Sequence, residues 1–234
     1  MTDTYSYKES VSVEEAKQIL EKYKKTLSDE HNNFVKKKLK GKYETVTRTV
    51  TIWERSFTGT FKEDKYRKNN RRAYKKETKI ATILASKGFD IVLLKESSSG
   101  YKKPDALVNG IVMDFKEITG TSKNALGNNY QNAMRKKNSQ GAVLFLVNGM
   151  TETEVFNQLS GKTRTHDNGI VIVYHEDTDK LQIINMKNLR AAHERTARIG
   201  MASGITQELH NELGAKSQSN LNINPSEKSV NKKL

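Results

Sequence analysis

Residues 104–118 read Pro104-Asp105-Ala106-Leu107-Val108-Asn109-Gly110-Ile111-Val112-Met113-Asp114-Phe115-Lys116-Glu117-Ile118. Asn-Gly between two apolar runs is a strong signal for a two-residue β-hairpin turn, because both central residues must take positive φ. The stretch is therefore predicted to be two antiparallel strands, 105–108 and 111–118. Side chains alternate between the faces of a strand. Asp114 and Lys116 then share one face with Val112 and Ile118, while Ile111, Met113 and Phe115 line the other. The hairpin folds Asp105 back beside Asp114, so two carboxylates and an ammonium group converge at one end of the pair.

Working outward, residues 73–87 carry a helical period, and Gly88 stands where a helix C-terminus favours glycine. Residues 89–94 form a further apolar strand. After the hairpin come a polar loop at 120–127 and a helix at 128–138 with Tyr130, Ala133 and Met134 on one side. A nearly all-apolar strand at 141–147 is suited to burial on both faces. A short helix at 152–159 and strands at 170–174 and 181–186 follow. The expected fold is α/β (α+β): a small mixed sheet whose core runs helix-strand-strand-strand-helix-strand.

Towards the N-terminus, Ser12 with Glu15 three residues on forms a capping box. Val13, Ala16, Leu20, Tyr23, Leu27 and Phe34 make one helical stripe. Residues 43–53 have strand character, and 56–70 read as a loop or short strands. The expected segmentation is a helical N-terminal extension (1–55), a basic linker (56–72), a nuclease-like α/β domain (73–190) and a polar, largely disordered tail (191–234), poor in apolar residues.

The composition narrows the function. The net charge is +14 and the pI about 9.7, so the chain attracts polyanions, of which nucleic acid is the commonest. The alternative is a soluble basic protein without such a partner. Hydrophobic residues are only 35%, which favours a compact centre with polar arms. There is no cysteine, which removes disulfides, thiolate metal sites and a cysteine nucleophile. With no signal-type or membrane-spanning apolar run, a cytoplasmic protein that binds no membrane is expected.

Lys62, Lys65, Arg67, Lys68, Arg71, Arg72, Lys75 and Lys76 crowd one short stretch, with Tyr66 and Tyr74 interleaved. Cations can hold phosphates there while bases stack on the rings; a solvated charged loop is the competing reading. Lys102, Lys103, Lys123 and Gln131 flank the hairpin and extend the expected nucleic-acid-binding set. Glu77 lies three, four and seven residues before Ile80, Ala81 and Leu84, on the apolar face of its helix. A carboxylate there needs a partner. Either it is aimed at the cluster of Asp105, Asp114 and Lys116, or it sits at the rim and pairs with lysine. Two facing carboxylates repel unless a cation lies between them. A divalent ion held by Asp105 and Asp114 meets that need and suits phosphodiester hydrolysis. Mg²⁺ is the expected ion, with Mn²⁺ or no metal as open alternatives.

These residues resemble the PD-(D/E)xK nuclease superfamily over roughly residues 73–150. Asp105 corresponds to the metal-binding aspartate of the PD element, Asp114 and Lys116 to the acidic residue and lysine of the second element, and Glu77 to the acidic residue of the first helix. The run from Glu77 through Pro104-Asp105, Asp114-Phe115-Lys116 and Thr121-Ser122-Lys123-Asn124 to the strand at 142–147 is also similar to the C-terminal tRNase domains of CdiA-type contact-dependent inhibition toxins, and to related phage and mobile-element proteins. That resemblance implies RNA cleavage, of tRNA or a like substrate, and an immunity protein as partner. Some members instead have the barnase/EndoU/colicin/RelE fold and cut without metal through the 2′-hydroxyl. The chain begins at Met1 without a delivery region, so a stand-alone mobile-element product is expected.

A non-catalytic nucleic-acid-binding protein of a phage or mobile element is the competing class, in which the carboxylates serve as salt-bridge partners of lysines. The histidines, His31, His166, His175, His193 and His210, are scattered without metal-ligand spacing. His166 and His175 flank the strand at 170–174 and are secondary candidates for acid–base chemistry.

Overall fold

The computed structural model describes residues 10–65, 67, 71–95, 103–135 and 139–195, with Arg71 described by its backbone alone. The elements are α1 (Val13–Lys24), α2 (Asp29–Leu39), β1 (Tyr43–Ile52), β2 (Arg55–Asp64), α3 (Arg71–Ser86), β3 (Ile91–Leu93), β4 (Ala106–Val108), β5 (Ile111–Ile118), α4 (Ala125–Met134), β6 (Gly141–Leu146), α5 (Glu152–Ser160), β7 (Ile170–His175) and β8 (Lys180–Asn185). The eight strands form one sheet in sequence order, β1 to β8. Parallel neighbours need a crossover connection, and each of the three parallel pairs has one: α3 joins β2 to β3, α4 joins β5 to β6, and α5 joins β6 to β7. The remaining pairs are antiparallel. The expected α/β class, with its helix-strand-strand-strand-helix-strand core, is observed from α3 to β6.

Strand alternation divides the core. On one face Ile111, Met113 and Phe115 pack with Ala16 and Leu20 of α1 and with Ile80, Ile83 and Leu84 of α3. On the other, Val112 joins Leu107 and Val92 under Phe34 and Val35 of α2. Ile118 joins Leu144 and Val173 under Leu126 and Tyr130 of α4 and Val155 of α5. Gly59 permits the close seat of α3 on β2, since a Cβ there would come 2.2 Å from the Thr82 carbonyl oxygen. Asn109 and Gly110 turn with φ of 48° and 79°, as a two-residue hairpin requires.

Three expectations are corrected. The stripe from Val13 to Phe34 is two helices rather than one. Ser28 caps α2 through a hydrogen bond from the His31 amide (3.4 Å), with Asp29 and Glu30 in its first turn. Carboxylates at a helix N-terminus favour a new start over continuation. Secondly, the supposed linker contains β2, a ten-residue strand paired along its whole length with β1. Residues 1–55 and 56–72 are thus not separate from the α/β domain, and residues up to Arg190 form one compact unit. Ala191–Leu234 form a second unit, of which residues 191–195 are described and helical; the expected disordered tail otherwise lies outside the described residues. Thirdly, α4 begins at Ala125, three residues before the predicted start, and the end of the predicted helix at 136–138 is outside the described residues. No helix among the described residues is long and apolar enough to cross a membrane.

His31 fastens α2 to the hairpin tip, its Nε2 lying 3.3 Å from the Gly110 carbonyl oxygen. It is 4% exposed, and its Nδ1 has no hydrogen-bond partner among the described residues. Burial, opposed by the Gly110 hydrogen bond and reinforced by Lys24, holds its pKa below the ordinary value of 6.5. A histidine with a depressed folded-state pKa contributes stability that is complete above the unfolded value and lost as pH falls below it. Urea midpoints are therefore expected to drop from pH 7.5 to pH 5.5, and His31→Gln is expected to flatten that slope. Equal slopes for the two proteins would refute the assignment.

Candidate functional site

The β4–β5 register pairs Ala106 with Met113, Leu107 with Val112 and Val108 with Ile111. Just before β4, the Asp105 amide donates to the Met113 carbonyl (3.1 Å). The Asp105 Oδ2 accepts from the Phe115 amide (2.8 Å). These two bonds bracket Asp114, so the hairpin brings Asp105 alongside it. Asp114 is fully buried and forms an ion pair with Lys116, two residues further along the same strand face; the Lys116 side chain is 23% exposed. The three residues singled out from the hairpin pattern thus lie together, partly open to solvent at Lys116.

Glu77 reaches this region differently from the simplest expectation. Its helix covers the face of β5 that carries Met113 and Phe115, whereas Asp114 alternates to the other face. The connection between Glu77 and Asp105 runs through Arg67. The Arg67 guanidinium pairs with the Glu77 carboxylate, donates to the Leu94 carbonyl and donates to the Asp105 carbonyl at 3.1 Å. The Asp105 carbonyl also accepts from the Leu94 amide (2.9 Å).

Arg67 was expected among exposed phosphate-binding cations. It is instead 1% exposed, with its charge used internally. The physical reason is local: a carboxylate on the buried face of α3 and two carbonyls at the ends of β3 and β4 need donors, and one planar guanidinium supplies several. Sequence separation concealed this, because the interaction is set by β2 and α3 lying side by side.

Of the other expected nucleic-acid contacts, Lys62, Lys65, Arg72, Lys103 and Lys123 are exposed, and Gln131 is partly buried with its amide donating to the Thr165 hydroxyl at 3.1 Å. Lys68 and Lys102 lie outside the described residues, as does the Arg71 side chain. A further group of cations, not singled out from the sequence, stands nearby. Lys36, Lys37 and Lys38 occupy the last turn of α2. Lys38 is held below the ordinary lysine range by burial, then by the neighbouring charges of Lys103 and Lys37, with Asp64 opposing. The end of α2 therefore lies close enough to Lys103 to add cations on the Asp114 side of the sheet. The Lys-Lys-Lys run was visible in the sequence, but only the break at Ser28 places it there. Tyr43 belongs to the same neighbourhood: burial and Asp64 raise its pKa, and Arg67 opposes them.

The secondary histidine candidates sit in structural contacts. His175 is buried, with its ring nitrogens 3.0 Å from the Met150 carbonyl and 2.8 Å from the Gln182 Oε1. His166 stands edge-on to Tyr130.

No group of three or more Asp, Glu or His residues able to hold a metal occurs among the described residues. The donor set at the hairpin is the pair Asp105 and Asp114. Mg²⁺ commonly takes one or two carboxylates and completes its shell with water and substrate phosphate oxygens. The pair matches such an ion in the number and type of donors, while Asp114 is fully buried and already paired with Lys116.

Residues 102–192 match the family model for the contact-dependent growth inhibition CdiA C-terminal domain. The match takes in Asp105, Asp114, Lys116, α4 and α5, and leaves out the segment carrying Arg67 and Glu77. Among solved structures, the chain is similar to one chain of a CdiA-CT/CdiI toxin and immunity complex from Burkholderia pseudomallei, with 21% identity and a TM-score of 0.41, over 50% of this chain and 90% of that one. No curated protein matches.

Proposed function

We propose that the protein is a toxin-like endonuclease of the PD-(D/E)xK type that hydrolyses RNA phosphodiester bonds at Asp105, Asp114 and Lys116. The observation that carries the reading is the hairpin cluster: a buried Asp114 paired with Lys116 and bracketed by the two hydrogen bonds of Asp105. The positive net charge and the lysines of α2 and Lys103 around it supply a surface for a polyanion. The match of residues 102–192 to a contact-dependent growth inhibition domain supports the same reading; an immunity protein as partner belongs to the reading as what the resemblance implies.

In the proposed reaction a water oxygen attacks phosphorus and the ester bond to the leaving ribose oxygen breaks. The proton lost by the water passes to solvent, and one is returned to the leaving oxygen. Lys116 places its ammonium group where negative charge grows on the phosphoryl oxygens, an electrostatic role that gains strength as water is displaced. Asp105 and Asp114 would hold a divalent ion, which polarises the phosphoryl group and lowers the pKa of a bound water. Glu77, through Arg67, positions the Asp105 main chain.

A second reading has its own support. Lys116 and Arg67 already neutralise Asp114 and Glu77, so the cluster needs no external cation to exist, as in a metal-independent RNase. Incubation of the protein with total tRNA and with plasmid DNA, in Mg²⁺ and in EDTA, decides. RNA cleavage with Mg²⁺ that EDTA stops is expected. Cleavage insensitive to EDTA would favour the metal-free reading, and no cleavage of either nucleic acid with Mg²⁺ or Mn²⁺ would refute the enzyme.

A further inference from the structure

Beyond the carboxyl ends of the parallel strands β5 and β6 lies a cavity of about 550 Å³, walled by the loop that leads into α4, the loop after β6, and α5. This volume is in the range of small-ligand sites. Its walls are tied together by neutral groups. The Asn148 side chain donates to the Gly120 carbonyl (2.6 Å) and accepts from the Met150 amide (3.2 Å). The Gln158 Oε1 accepts from the amides of Leu126 (3.0 Å) and Gly127 (3.5 Å) in the first turn of α4.

The lining carries unequal charge. Its carboxylate, Glu154, is engaged by the Thr151 amide and hydroxyl, each at 2.7 Å, in a capping box. Lys123 and Lys162 also line the cavity. Lys162 donates to a neutral acceptor, the Asn128 carboxamide (3.1 Å), and neither lysine has an acidic partner among the described residues. The carboxamides of Asn124 and Asn157 line it too, without a side-chain hydrogen bond among the described residues. Two ammonium groups and two uncommitted carboxamides around a bounded volume match one ligand chemistry well. The cations suit a phosphate, and a carboxamide can donate to and accept from the edge of a base at once.

The position adds to the argument. Thr121, on the cavity wall, follows Lys116 by five residues, so their backbones are at most about 18 Å apart even with the chain fully extended. Lys116 and the wall belong to one continuous strand and loop.

We propose that this cavity holds an unpaired nucleotide of the RNA substrate, within a few nucleotides of the bond cut at Asp114 and Lys116. Its phosphate lies between Lys123 and Lys162, and its base edge lies against Asn124 and Asn157. The proposal rests on the nuclease reading for the identity of the substrate, but its binding chemistry is separately measurable. A base can enter a cavity only when it is out of the helical stack, so the segment bound there is a loop, bulge or end rather than the middle of a helix.

The test is an NMR titration of the wild-type chain with each of the four ribonucleoside 5′-monophosphates, the four nucleosides and inorganic phosphate. One or two of the monophosphates should shift the amides around Lys123, Gly127 and Asn157 at lower concentration than inorganic phosphate or any nucleoside. Asn157→Ala and Lys123→Ala, both at exposed positions, should each weaken that binding about tenfold, and Asn157→Ala should also blur the nucleotide preference near the cut. Identical shifts from inorganic phosphate and all four monophosphates would overturn the proposal in favour of a plain anion site, and so would no shifts at all. Selective monophosphate binding in a chain that cuts no RNA would uphold the cavity as a nucleotide site while refuting the nuclease reading.

Discussion

Asp114→Asn is expected to lower the rate of RNA cleavage by about 100- to 10,000-fold, the range spanned by loss of a positioned proton-transfer or charge-stabilising group, while RNA binding persists. The substitution preserves size and shape in a side chain that is fully buried, and it removes only the negative charge. Two consequences follow for catalysis. Lys116 loses the partner that holds its ammonium group over the strand, and the pair with Asp105 loses half its capacity for a divalent ion. Binding should survive because it draws on other groups: Lys62, Lys65, Arg72 and Lys103 are exposed and remain, so the slope of log affinity against log salt stays the same. Gel-based cleavage of tRNA and filter binding across a salt series measure the two effects separately. Wild-type cleavage by Asp114→Asn would remove Asp114 from the chemistry. Equal loss of cleavage and binding would point to a damaged fold, which the urea midpoint would reveal.

The hairpin was legible because two local signals agree there. Asn109-Gly110 demands positive φ, and a mostly apolar run, Ile111 to Ile118, interrupted by Asp114, Lys116 and Glu117, follows it. Strand β5 accordingly has the predicted limits, Ile111–Ile118. Strand β6 was legible for a different reason: its residues are buried on both faces, which leaves a continuous apolar run. The β1–β2 hairpin was not legible. Its turn residues, Trp53 and Glu54, take φ of 49° and 63°, although neither is a residue type that favours this region. The pairing of ten residues with ten outweighs the local cost, and no turn signal appears in the sequence.

The candidate site divides along the same line. Asp105, Asp114 and Lys116 come together through one hairpin, so local pattern sufficed. Whether they act in catalysis is a separate matter, which the cleavage experiments address. The role of Arg67 depends on Glu77, Leu94 and Asp105, which are 10, 27 and 38 residues away. In the sequence it was one basic residue among eight. Its burial follows from the adjacency of β2 and α3, which the reading of 56–72 as a linker obscured. The cations of α2 were hidden for the same reason: a helix assumed to continue from α1 would have carried them away from Lys103.

Arg67→Met is expected to destabilise the fold by about 3–5 kcal/mol, the usual cost of removing one partner from a buried ion pair. The Arg67 side chain is 1% exposed and that of Glu77 13%, so Glu77 would be left as a poorly solvated charge. The Leu94 and Asp105 carbonyls would lose a donor as well. Arg67→Lys should rescue little, because a single ammonium group cannot reproduce a planar fork reaching a carboxylate and two carbonyls. Adding Glu77→Gln to Arg67→Met removes the stranded charge and should recover part of the loss, giving a coupling of at least about 1 kcal/mol between the two sites. Urea denaturation of the wild type, both single variants and the double variant measures this cycle. Additive effects would show that Arg67 and Glu77 do not depend on one another, and an unchanged midpoint for Arg67→Met would remove the buried pair altogether. The cycle also separates support from chemistry. If Glu77 acts by anchoring Arg67 to the Asp105 main chain, Glu77→Gln in the wild-type background lowers cleavage in step with stability. If its carboxylate takes part in the reaction, cleavage falls well beyond what the shift in midpoint accounts for, and the double variant recovers stability without recovering activity.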